Sequence, residues 1–207
     1  MTKTEEAETA QFQLELYPEQ AEPIREPIGF GSFDLRLADC MDVMKGFPDG
    51  YKPPGAEYFE ELRRVSKHQI IWGANYYPEH LKASMGWIFW DKGQRICNSD
   101  GELAYSSFER ALRVIEMNRV ELLKEGTIHP TQKPVKLYKW LLMNYAKPGQ
   151  RVLDTHLGSG SHAIAAHYAG IHLTACEIDP EYFDAAKARI TRETAQTELF
   201  PPMGAQE

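Results

Sequence analysis

Asp154 ends a short apolar run, Arg151-Val152-Leu153-Asp154, and the small-residue turn Gly158-Ser159-Gly160 follows it. Glu177 ends the next apolar run, residues 172–176, roughly twenty residues past the glycines, where α/β nucleotide-binding units place the acid that accepts ribose hydroxyls. Glycines at such a turn let a ligand come close to the backbone. Residues 161–169 after the turn have a helical composition, and a helix start offers free N–H groups and the positive end of a dipole. Strand, glycine turn and helix in that order make half of a nucleotide-type cofactor site. Glycine turns also serve packing alone, so the surroundings have to carry the assignment.

Upstream stands His129-Pro130-Thr131-Gln132-Lys133-Pro134, and then a predicted amphipathic helix over residues 135–145, with Leu137, Trp140, Leu141 and Tyr145 at helical spacing. Pro148-Gly149 stops it. This succession resembles the amino-group DNA methyltransferases of adenine N6 or cytosine N4 specificity, in the permuted order of the beta class, where the catalytic half precedes the cofactor half. In that family HPTQKP precedes the strand-turn-helix that holds S-adenosylmethionine, and the turn normally reads DPFxGSGT. Here it reads Asp154-Thr155-His156-Leu157-Gly158-Ser159-Gly160-Ser161, so the acid and GSG are kept and Pro-Phe has become Thr-His. The resemblance implies an α/β, Rossmann-like S-adenosylmethionine-dependent fold, a mostly parallel sheet with helices on both faces. It places Asp154 and the backbone of Gly158, Ser159 and Gly160 near the methionine portion, Glu177 on the ribose and Ile178 on the adenine face. Thr131, Gln132 and Lys133 come at the methionine end, and Asp39 and Cys40, after a strand at 33–38, at the adenine edge. Ser161 is a candidate cap for the helix, with or without a ligand.

The largest departure lies earlier. After a Pro-Asp-Gly turn the family enters an apolar strand that ends in DPPY or SPPY, whose acceptors hold the target amine. Here Pro48-Asp49-Gly50 runs straight into Tyr51-Lys52-Pro53-Pro54-Gly55 and a predicted helix at 57–65. Lysine cannot accept an amine proton, so no catalytic residue is named. In the resembled sheet the missing strand is central, between the strands at 151–154 and 68–72. Because no other stretch reads as its replacement, a further segment between Gly50 and Tyr51 is expected. Two more strands, at 68–73 and 86–90, lead into Asn75, Tyr76, Trp90 and Lys92, which the resemblance sets around the target base. A strand at 111–117 and the cations Arg95, Arg110, Arg113, Arg119 and Lys124 form a candidate DNA-reading stretch. A final helix is expected from Pro180 to residue 190.

With 207 residues, 43% of them hydrophobic, the chain suits one globular core. It divides into a mobile acidic arm (1–27), a methyltransferase domain (28–191) and a tail (192–207). The net charge of −7 sits in the ends: seven glutamates oppose Lys3 and Arg25 in the arm, and the body between arm and tail is neutral. Cys40, Cys97 and Cys176 form no metal-ligand spacing, and no metal site is expected. The start lacks the apolar centre of a signal peptide and no membrane span is visible, which points to the cytoplasm. The function implied is site-specific methylation of duplex DNA, as in restriction-modification, on adenine N6 in preference to cytosine N4. The alternative is an inert module that binds cofactor and DNA without transfer. Methylation of RNA or a small molecule and a nucleotide-binding protein of another class are further rivals. Partners are double-stranded DNA, a second copy of the chain, and the bacterial sliding clamp, whose ligands Gln196-Thr197-Glu198-Leu199-Phe200 resembles.

Overall fold

The computed structural model describes residues 11–16, 32–37, 55–93, 99–118 and 120–195. Its elements in chain order are β1 (Gln11–Leu16), β2 (Phe33–Leu37), α1 (Ala56–Val65), β3 (Ser66–Trp72), β4 (Ile88–Asp91), β5 (Gly101–Ser106) and β6 (Arg113–Glu116). There follow α2 (Val120–Glu125), α3 (Val135–Tyr145), β7 (Arg151–Asp154), α4 (Ser161–Tyr168), β8 (His172–Glu177) and α5 (Pro180–Thr194). Two 3-10 turns, Ala74–Tyr76 and Pro78–His80, lie between β3 and β4.

The strands make one sheet in the order β2-β8-β7-β1-β3-β5-β4-β6. Pairing is parallel in β2/β8, β7/β8 and β4/β6 and antiparallel around β1 and β5. Among the described strands six therefore run one way and only β1 and β5 oppose them, which leaves three parallel and four antiparallel pairings. Residues alternate between its faces. Ile70, Trp72, Val152, Leu173 and Ala175 meet α3, α4 and α5 through Leu137, Leu141, Ile164 and Ile190. Ile71, Leu153 and Cys176 meet α1 through Tyr58, Phe59 and Leu62. Buried strands need apolar residues on both sides, and Ile70-Ile71-Trp72 supplies them without a break.

Local signals set the elements near the carboxyl end of the sheet. Asp179 caps α5 by accepting from the N–H groups of Glu181 and Tyr182, and Pro180 stands at its first turn. In α1, Glu57 in the first turn and Arg63 and Arg64 in the last suit the helix dipole.

β1 overturns one expectation and bears on another. Residues 11–16 belong to no mobile arm. They lie at the centre of the sheet, antiparallel to both β7 (Phe12 level with Asp154) and β3 (Leu14 level with His68). Phe12-Gln13-Leu14-Glu15-Leu16 carries the period-2 alternation of a strand, and so short a run inside an acidic segment reads as a strand only when partners are present. β7 and β3, two spacings of ~4.8 Å apart, present the N–H and C=O groups that have to be paired. The sheet thus has the compensating strand that the sequence reading did not find. The Gly50–Tyr51 junction lies outside the described residues, as do the rest of residues 1–27 and the tail from 196. β5 was missed, because Gly101-Glu102-Leu103-Ala104-Tyr105-Ser106 has no clean alternation.

Candidate functional site

The carboxyl ends of β7 and β8 lie side by side, and the turn between β7 and α4 bridges them. Leu157 N–H donates to the Cys176 carbonyl at 2.8 Å, which ties the turn to β8. Gly158 N–H donates to Glu177 Oε2 at 2.8 Å, and Glu177 Oε1 accepts from Ile178 N–H at 2.9 Å and Asp179 N–H at 3.1 Å. The acid expected on a ribose is thus oriented by three backbone donors. Ile178 next to it is 41% exposed. Gly158 has φ +52, and a Cβ there would rest in ordinary contact with the His129 ring, at 3.7 Å, so this part of the turn lies against the His129 loop. Gly160, with φ +76, is needed for another reason: a Cβ would lie 2.8 Å from Ile190 of α5. Its absent side chain serves helix packing.

Asp154 is buried, and its carboxylate faces inward. Oδ1 accepts from His156 N–H at 3.0 Å, and Oδ2 pairs with His162 Nδ1 at 2.8 Å. The His162 ring stacks on Tyr138, 4.8 Å between centroids. Burial, and then the charges of Asp154 and Glu102, push the Tyr138 phenol well above its usual pKa. Thr155 and His156, where the resembled family has Pro-Phe, form a chain with α1: Tyr58 OH lies 2.8 Å from Thr155 Oγ1, which lies 3.0 Å from His156 Nδ1.

The loop before α3 closes over the turn. Gln132 is occupied within it, Nε2 donating to the Gly126 carbonyl and Oε1 accepting from Ile128 N–H. Thr131 N–H and Oγ1 approach His129 Nδ1 at 3.3 and 3.2 Å, and the His129 ring meets Tyr182 edge-on. Ser159 and Ser161 share an Oγ contact of 3.0 Å. Ser161 does not cap α4; it accepts from Arg189, whose guanidinium also binds the Ser159 carbonyl and Glu125. Burial holds the Arg189 pKa below its usual value even though Glu125 opposes it. Arg189 and Glu125 were missed, since an arginine within a charged helix reads as surface and nothing local marks it as buried.

The residues expected at the target base divide. Asn75 is exposed and Tyr76 is 64% exposed, both on the turn beyond β3. Trp90 is corrected: it is 1% exposed and its indole N–H donates to the Met117 carbonyl, so a base could stack on it only if the ring left the core. Lys92 and Lys133 both reach Glu102 of β5, at 3.0 and 3.1 Å. Glu102 had no sequence signal, because the strand that carries it was not read. Asp39, Cys40 and Arg95 lie outside the described residues. Arg110 donates to the Asn144 carbonyl and lies over the Tyr145 ring, while Arg113 and Lys124 are exposed. A separate cavity of about 780 Å³ between α1, the amino-terminal half of β3 and residues 81–85 includes none of the expected site residues.

A sheet with six of its eight described strands in one direction and helices on both faces, a glycine turn after one strand and an acid closing the next defines a Rossmann-like methyltransferase fold. Known structures agree. M1.HpyAVI, crystallised with S-adenosylmethionine, superposes with a TM-score of 0.59 at 20% identity, covering 76% of this chain and 99% of that one. The cytosine-N4-specific PvuII DNA methyltransferase gives 0.57 at 11% identity, covering 80% and 91%. Among curated proteins, the type II methyltransferase M.BglII of Bacillus subtilis is 32% identical over 78 residues, 38% of this chain and 22% of that protein. The chain thus spans only about a quarter of the curated relatives it matches. The N6/N4 family model described as DNA methylase matches residues 56–188, nearly two thirds of the chain, and the chain belongs to that family.

Proposed function

We propose that this chain moves a methyl group from S-adenosylmethionine to an exocyclic amine of a base in duplex DNA, adenine N6 in preference to cytosine N4. The observation that carries the reading is the Glu177 carboxylate, fixed by Gly158, Ile178 and Asp179 N–H groups beside a left-handed glycine and an exposed Ile178. That arrangement fits a nucleoside: Glu177 takes the ribose hydroxyls and Ile178 the adenine face. The turn backbone, with Thr131 and Lys133, then faces the methionine portion. Asp39 and Cys40 complete the adenine contacts in this reading. Gln132 supports the loop rather than the ligand, since both ends of its amide are engaged.

When bound, the cofactor supplies an electrophilic methyl on its sulfonium. The chain's own task is to hold the amine, a poor nucleophile whose lone pair is delocalised into the ring. The base has to leave the stack and its N–H groups have to rest on acceptors. Asn75, Tyr76 and Lys92 border the place where such a base would enter.

One observation favours a second reading, an inert module that binds cofactor and DNA. β1 fills the sheet position between β7 and β3, where the resembled family carries its catalytic tetrapeptide, and β1 runs antiparallel to both neighbours. Calorimetry with adenosylmethionine followed by a tritiated-methyl assay on duplex DNA separates the readings. Binding with transfer supports the enzyme, binding without transfer supports the module, and absence of binding overturns both. Transfer to RNA alone would assign a different substrate. In this reading the methyltransferase unit is residues 28–191 with β1 added. Homodimerisation and clamp binding belong to the same proposal; the clamp peptide Gln196–Phe200 lies outside the described residues. Among the described residues no helix is long and apolar enough to cross a membrane; a cytoplasmic location is part of the proposal.

A further inference from the structure

Lys133 immediately precedes Pro134, the N-cap of α3, and Lys92 immediately follows β4. They come from separate parts of the chain and converge on one carboxylate. Lys92 Nζ lies 3.0 Å from Glu102 Oε1, and Lys133 Nζ lies 3.1 Å from Oε2, so each oxygen receives one ammonium. Both lysines also lie over indoles, Lys133 over Trp72 and Lys92 over Trp90, each 5.4 Å from the ring centroid. The two indoles meet edge to face at 6.4 Å. The side chain of Lys133 is only 3% exposed and that of Lys92 only 15%. Burial pushes the Glu102 carboxyl up, but the two ammoniums outweigh it and hold the group below the usual carboxylate range.

Glu102 pairs with Trp90 across the β4/β5 ladder and shares a sheet face with Ala104, which lies level with Trp72. The carboxylate therefore sits on the face that carries α3, where the loop of Lys133 and the end of β4 come together. A buried ammonium left without its counter-charge is strongly unfavourable, so neither lysine can be repositioned without affecting the carboxylate, and through it the other lysine.

We propose that Glu102 is a positioning residue that couples cofactor binding to DNA binding, by holding Lys133 at the cofactor end and Lys92 at the base end of the site. The inference rests on the proposed methyltransferase function. The paired, largely buried lysines move as one unit with Glu102, so a nucleoside that sets the backbone of the Lys133 loop also sets Lys92, and the second ligand then binds more tightly. Such coupling is reciprocal, and typical values lie between about 5-fold and about 150-fold.

The test measures binding of a fluorescent random-sequence duplex to the full chain, with and without saturating adenosylhomocysteine, which has no methyl to donate. In the wild type the nucleoside should tighten duplex binding by about fivefold or more. In Glu102→Gln, which keeps the shape and removes the charge, the ratio should fall to near one, and Glu102→Asp should recover part of it. Circular dichroism reports whether Glu102→Gln is folded. If it is not, Lys92→Met serves instead, because it removes one arm and leaves Glu102 paired with Lys133; it too should abolish the ratio. A ratio that persists in these variants, or a wild-type ratio near one with both ligands bound, overturns the coupling. Failure of the wild type to bind the nucleoside at all overturns the functional reading beneath it, which is a different result.

Discussion

Glu177→Ala tests the centre of the proposed cofactor site. In the protein without ligand the carboxylate accepts from Gly158, Ile178 and Asp179 N–H groups at 2.8, 2.9 and 3.1 Å. With a nucleoside bound it would also accept from the ribose. Hydrogen bonds to a charged group contribute roughly 1.5–3 kcal/mol each, so loss of the ribose contact alone predicts an affinity lower by on the order of ten- to a hundredfold, at 1.4 kcal/mol per factor of ten. The substitution has a second effect, on the protein itself. Gly158 N–H loses its acceptor, and an unmet backbone donor costs about 1–3 kcal/mol where water cannot replace the partner. The two effects are measured apart. Calorimetry with adenosylmethionine reads the first, and urea unfolding without ligand reads the second. A variant that loses stability yet binds the nucleoside within about threefold of wild type, less than one average hydrogen bond, would show that Glu177 serves only to fasten the turn. The ribose assignment would then be wrong.

Leu14→Pro probes the place of β1: level with both His68 and Val152, it removes a donor from the middle of the ladder. Unfolding in urea should show a loss of about 1–3 kcal/mol or more, whereas no loss would return residues 11–16 to a mobile arm. Gly160→Ala should lower thermal stability more than Gly158→Ala, since both incur the left-handed backbone cost of about 1–2 kcal/mol but only the former meets Ile190 at 2.8 Å; equal shifts would refute the packing role. The pH dependence should differ in sign between two half-buried acids. Glu102, lowered from 4.5, contributes stability above that pH and loses it as pH falls through the folded value; Glu125, raised from 4.5, contributes fully below that pH and loses it as pH rises through the folded value. Melting curves of Glu102→Gln and Glu125→Gln against wild type from about pH 3 to about pH 7 should therefore show opposite trends, and parallel trends would refute the assignment. Clamp capture should be lost on Leu199→Ala with Phe200→Ala, and retained capture would refute the clamp assignment.

The sequence by itself determined the half of the molecule whose signals are local. α3 and β7 have the boundaries read from their periodicity, and α4, β8 and the start of α5 fall within a residue of theirs. A glycine turn, a proline stop and an aspartate cap act within a few residues and need no distant partner. The pairing of Glu177 with the turn could be anticipated for the same reason, because consecutive strand ends in an α/β unit are neighbours. Tertiary structure alone decided what depends on distant partners. Whether Gln11–Leu16 is an arm or a strand depends on β7 and β3 presenting unpaired backbone groups, which no property of those six residues reveals. Whether Trp90 faces a ligand or the core is set by Met117, and whether Arg189 is a surface charge or the fastening of the turn is set by Ser159 and Glu125. Lys92 and Lys133 could each be singled out from the sequence, but their shared carboxylate could not, since charges attract through space and the chain between them carries no mark of which acid will lie within 3.1 Å of both.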